Sequence, residues 1–141
     1  MTIKEKSEAI VEEFAIFDDW MDKYAHLIEL GKELPIIDEK YKDESHLISG
    51  CQSRVWLHAD YVNDNVVYTA DSDAVITKGI ISLLIRVMSD ANPSEIYSSD
   101  FTFIDDIGLS THLSPTRANG LVSMVKQMKL YAKALYLRAE K

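Results

Sequence analysis

One cysteine, three prolines and five glycines in 141 residues leave this chain with few of the usual structural devices. A lone cysteine excludes an internal disulfide. It also excludes a zinc or iron–sulfur site with four cysteine ligands from this chain. The longest apolar stretch, residues 79–85, is far short of the ~20 residues that span a bilayer, so no membrane partner is expected. No HxH, HExxH or Cys/His cluster supplies metal-ligand spacing, and no GxGxxG or GxxxxGKS/T sequence supports nucleotide binding. The first 14 residues, MTIKEKSEAIVEEF, place acidic side chains where a secretory signal would carry its apolar core. The expectation is a cytoplasmic protein in a reducing compartment, with no bound cofactor or metal.

What is present is ordinary globular material: 47% hydrophobic and 27% charged residues, which argues against disorder. At this length one domain over 1–141 is expected, burying roughly 70% of its unfolded surface. Charge is uneven. Residues 1–112 carry 9 basic and 22 acidic side chains, whereas 113–141 carry 6 basic and 1 acidic. A basic C-terminal helix can mark a nucleic-acid footprint. Here no aromatic platform or RNA module accompanies it, so no nucleic acid is expected, and the acidic body is expected to pair with these cations.

Along the chain, Ile10, Phe14 and Phe17 follow helical spacing. Asp18 and Asp19 can cap a second helix with a stripe of Trp20, Tyr24, Leu27 and Ile28, ended by a left-handed Gly31. Residues 35–46 read as a solvated connection. From Leu47 the period becomes two, with Val55, Leu57, Ala59 and Tyr61 alternating with polar neighbours. Asn63, Asp64 and Asn65 turn the chain into a returning strand at 66–70. Asp71, Ser72 and Asp73 offer capping oxygens to a helix at 74–89 that is apolar nearly all round and therefore central. Asn92-Pro93-Ser94-Glu95 has the form of a capping box. Residues 101–113 are ambiguous and read as a mixture of an extended piece and a short turn. Ser114-Pro115 then opens a long helix with Leu121, Met124, Val125, Met128, Tyr131 and Leu135 inward. The order of two helices, a hairpin and then helices makes the expected class α+β.

Cys51 is the one residue with obvious nucleophilic chemistry. It follows Gly50, whose backbone freedom suits a loop tip, and its neighbours Ser49, Gln52 and Ser53 are small or polar. A buried structural thiol and a reactive thiol are both open on this basis. A hydrolase reading would need a histidine base, with His46 nearest in sequence ahead of His26, His58 and His112. A non-catalytic interaction module would make Cys51 dispensable.

The run Gly-Cys-Gln-Ser-x-Val-Trp-Leu at 50–57 resembles the active-cysteine motif of the SufE family of sulfur acceptors in iron–sulfur cluster assembly. The resemblance extends through Ile28-Glu29-Leu30-Gly31, Leu34-Pro35, Asp71-Ser72-Asp73-Ala74, Lys78-Gly79, His112-Leu113-Ser114-Pro115-Thr116-Arg117 and Asn119-Gly120-Leu121. It implies a fold similar to the IscU-type scaffold, a small antiparallel sheet, a hairpin plus a further strand, packed against helices. It also implies a SufS-type, pyridoxal-phosphate-dependent cysteine desulfurase as partner, with Cys51 receiving its persulfide sulfur and an iron–sulfur scaffold complex as recipient. The protein would then be a carrier and activator rather than an enzyme, and a weak homodimer fits the resemblance. Among supporting residues, Asp73 is expected to cap the central helix, with bracing of the Cys51 loop as the other reading. Arg117 is read either as stabilising a thiolate or persulfide anion or as a surface ion pair. Trp56 is read as core packing or as a wall of the cysteine pocket.

Overall fold

The computed structural model describes residues 1–139, so Glu140 and Lys141, the end of the expected domain, lie outside the described residues. In chain order the elements are α1 (Ile3–Ala15), α2 (Trp20–Lys32), two 3₁₀ turns (Glu39–Tyr41 and Glu44–His46), β1 (Val55–Val62) and β2 (Asn65–Ser72). There follow α3 (Val75–Met88), α4 (Pro93–Ser98), α5 (Phe103–Asp106), α6 (Leu109–His112) and α7 (Pro115–Ala139). The α+β class holds. The strands form an antiparallel hairpin with Val62 opposite Asn65 and Val55 opposite Ser72. Asn63 and Asp64 both take positive φ, as a two-residue primed turn requires. The further strand is reduced, among the described residues, to single-residue bridges made by Ile36, Leu47 and Ala91.

Helix α3 is the axle of the fold. It packs against α1, α2, α7 and β2, and Ile80, Ile81, Leu83 and Leu84 are each essentially sealed from water. Each such side chain contributes roughly 1.5–3 kcal/mol of burial free energy. The core continues through Ile10, Phe14, Leu27, Leu57, Tyr68, Met124 and Met128, so α1, α2, α7 and the hairpin share one apolar interior with α3.

Four local expectations change. Gly31 lies inside α2 rather than past its end. A Cβ there would sit 3.1 Å from the Gly79 backbone nitrogen, so its smallness serves the α2–α3 crossing. Asn92 caps α4, but Glu95 reaches the Ile3 amide at 2.8 Å instead of closing a capping box. An unpaired donor at the start of α1 outcompetes the local bond. Residues 101–113 form the short helices α5 and α6 with no extended strand. The acidic residues before α3 do not cap it: no side-chain cap bond is made there, because Asp73 is committed elsewhere.

Candidate functional site

The loop that carries Cys51 is pinned at its base by the Ile48 amide donating to the Val55 carbonyl, 2.9 Å. Asp73 clamps it from the far end of the hairpin. Its carboxylate accepts the Arg54 N–H at 3.0 Å, and its own N–H donates to the Arg54 carbonyl at 3.3 Å. Asp73 therefore braces the loop, and the capping role expected for it is absent. On the other side Gly50 has φ +91°, and a Cβ there would lie 2.5 Å from Ser123 Oγ on α7. A larger residue would be strained and would push the loop off the helix.

Cys51 Sγ rests against Gly120 of α7 and donates to its carbonyl at 3.6 Å. A carbonyl accepts from a thiol but has nothing to offer a thiolate. Burial also pushes the Cys51 pKa up, with no compensating charge contribution. The resting thiol is therefore half-buried and held in its protonated form. It borders a cavity of about 320 Å³ between the loop, α3 and α7, lined further by Ser53, Thr77, Ile80, Thr116, Arg117, Gly120 and Met124.

The cavity thus joins Cys51 and Arg117, with Gly50 beside the cysteine against Ser123 and Asp73 holding the loop behind them. Arg117 is exposed, and among the described residues it forms no ion pair, so the surface-bridge reading of it fails. Trp56 is half-buried beneath Lys42, 5.5 Å from ring centroid to Nζ, and does not line the cavity. No histidine lines it either. His46 bonds Asp43 at 2.9 Å and His58 at 3.0 Å, His26 bonds Glu13 at 2.6 Å, and His112 stacks on Trp20 with centroids 3.9 Å apart. The hydrolase reading therefore lacks its base in this arrangement. Among the described residues no three His, Cys, Asp or Glu side chains gather around a metal position.

Two site residues escaped sequence reasoning as individuals. Gly120 sits inside a 25-residue helix, where glycine costs roughly 1 kcal/mol relative to alanine and so signals a packing need. Thr77 is an ordinary helical residue by sequence, and nothing local marks it. The α7 cations also behave differently from expectation. Lys129 donates to the Ser99 carbonyl and lies over Phe101, and Lys133 lies over Tyr97; among the described residues no carboxylate pairs with α7. A larger groove of about 890 Å³ between α1 and the α4–α5 segment is lined by Glu8, Glu12, Glu95 and Asp106 and holds no nucleophile comparable with Cys51. No described helix is long and apolar enough to cross a membrane.

Comparison with known proteins gives concordant findings. The SufE family profile, described as an Fe-S metabolism associated domain, matches residues 8–132. An uncharacterised SufE-like protein of Rhizobium etli is 38% identical over 131 residues, covering 89% of this chain and 88% of the relative. A second, from Rhizobium meliloti, is 38% identical over 127 residues, covering 86% and 91%. The solution structure of a hypothetical protein from Thermus thermophilus superposes with a TM-score of 0.77 at 19% identity, covering 92% and 94% of the two chains. At that identity the likeness concerns the fold alone.

Proposed function

Because the chain belongs to the SufE family of Fe–S metabolism associated domains, we propose that it is a sulfur acceptor and carrier working through Cys51. The donor is the active-site persulfide of a pyridoxal-phosphate-dependent cysteine desulfurase, and the recipient is an iron–sulfur scaffold complex. The Cys51 thiolate attacks the outer sulfur of the donor persulfide. A new S–S bond forms at Cys51 as the donor's own S–S bond breaks, and the electron pair leaves on the donor thiolate. One thiol thus acts as acceptor and later as donor, with no second cysteine and no external oxidant.

The observation that carries this reading is that the sole cysteine stands on a braced loop at the mouth of a cavity. Its neutral, half-covered state suits a carrier, since a quiet thiol resists oxidants until a partner draws it out. The partner must then favour a second loop arrangement through its own contacts. By supplying a receiving thiol, the carrier also clears the desulfurase for its next turnover.

Incubation with a desulfurase and cysteine, followed by intact-mass analysis, tests the proposal. One added sulfur atom is expected on the wild type and none on Cys51→Ser, which retains its fold. Sulfur on the serine variant, or none on the wild type, overturns it. Alkylation of Cys51 is further expected to be slower in the native protein than in urea, and faster with a desulfurase lacking its own active cysteine.

A further inference from the structure

Three features around the cavity are not used by the transfer step. The start of α3 is left without a side-chain cap, because Asp73 turns to Arg54 and the Ser72 hydroxyl to the Ala74 amide. The partial positive end of a 14-residue helix is therefore left open. Thr77, in that first turn, is only 6% exposed, yet among the described residues its hydroxyl has no hydrogen-bond partner. Among the described residues no fully sealed side-chain oxygen lacks a partner, so the Thr77 hydroxyl retains some access, and the residue lines the cavity. Finally, the first turn of α7 meets the same cavity and brings Arg117, which has no ion pair among the described residues, to its rim.

We infer that this cavity is an anion receptor for the outer sulfur of a Cys51 persulfide, with the Thr77 hydroxyl as its buried hydrogen-bond donor. The inference rests on the reading of Cys51 as a sulfur acceptor and deepens it. A persulfide extends the side chain by one S–S bond, ~2 Å. Gly120 presents a carbonyl, which repels a terminal anion, whereas Thr77 from the first turn of α3 presents a hydroxyl donor, and the first turn of α7 borders the same cavity. The apolar walls from Ile80 and Met124 exclude water and strengthen those interactions. The two states of Cys51 are thereby held in opposite ionisation. The thiol is kept protonated against Gly120, and the persulfide is stored as its anion, whose charge repels attacking thiolates at the outer sulfur until a recipient draws it out of the cavity. Here Thr77 touches the reacting sulfur, and Arg117 supplies charge from the rim.

The test uses the full chain loaded with inorganic polysulfide, which needs no partner, and in parallel with desulfurase plus cysteine. The alkylation rate of the persulfide is followed against pH, and intact mass confirms that the product retains the extra sulfur. Thr77→Val, which keeps shape and burial, is expected to raise the midpoint of the pH profile by about one unit. Thr77→Ser is expected to restore it. An unchanged midpoint in Thr77→Val, or a serine variant that behaves like valine, overturns the inference. If Thr77→Val fails to fold by circular dichroism, Thr77→Ala against Thr77→Ser gives the same contrast. If polysulfide loads the wild type and desulfurase does not, the acceptor reading fails, while the pH midpoints still decide the role of Thr77.

Discussion

Two close approaches at glycine hold this molecule together, and they serve different ends. At the α2–α3 crossing, Gly31 meets Gly79, and a Cβ on Gly79 would collide with the Leu27 carbonyl, its carbon only 2.8 Å away. At the Cys51 loop, Gly50 meets Ser123 and Gly120 meets the cysteine itself, where an added Cβ would be 3.5 Å from Sγ. The first contact is backbone against backbone inside the core, where nothing can yield. The second is a loop against a helix side, where a side chain can rotate and the loop can lift. Rigidity belongs to the scaffold, and give belongs to the site.

Substitutions should separate the two. Gly79→Ala is expected to have the largest effect, about 3 kcal/mol of lost stability in urea unfolding, because helix α3 must shift away from α2. A loss under 1 kcal/mol would show that the crossing is not rigid. Gly50→Ala should cost about 1–2 kcal/mol through its positive φ and displace the loop, so that sulfur loading slows while the core holds. Asp73→Ala removes the brace on Arg54. It is expected to cost about 1 kcal/mol and to speed Cys51 alkylation in the free protein roughly fivefold. An unchanged alkylation rate would mean that the Asp73 carboxylate does not limit the opening of the loop.

Gly120→Ala sharpens the comparison by reversing the sign seen at Gly79. Its Cβ makes ordinary contact with the thiol, so helix propensity should prevail and stability rise by about 0.5–1 kcal/mol, with slower alkylation. The smallest effect belongs to the scaffold's outer staple. Glu13 accepts from both terminal guanidinium nitrogens of Arg86 at 2.9 Å and bonds His26 at 2.6 Å. The Arg86 guanidinium chiefly, then His26, holds its carboxyl below the ordinary glutamate range against the opposing effect of burial. A depressed folded pKa contributes stability above the unfolded value, and that contribution disappears as pH falls through the folded one. Stability should therefore decline from about pH 4 downward, and Glu13→Gln should flatten that part of the curve. An unaltered acid limb would assign the decline to other carboxylates.

The hairpin and central helix were legible because their signals are local and repeated. Alternation at Val55, Leu57 and Ala59 has period two, and the residues from Val75 to Met88 are apolar round the helix. Cys51 was legible because its motif carries its chemistry. Two of the errors fell where a polar residue had two partners to choose from. Asp73 and Glu95 both sit at cap positions by sequence, yet Arg54 and Ile3 take them, since an orphan backbone donor brought close in space competes equally with a local one.

By itself the sequence determined the class of fold, the single thiol and the family, all of which depend on composition, periodicity or contiguous motifs. The tertiary structure decided the state of that thiol. Gly120 lies 69 positions from Cys51, and Thr77 and Arg117 reach the same cavity from two different helices. Ionisation depends on burial and on the donors and acceptors within a few ångströms, and those distances exist only once α3, α7 and the loop have packed.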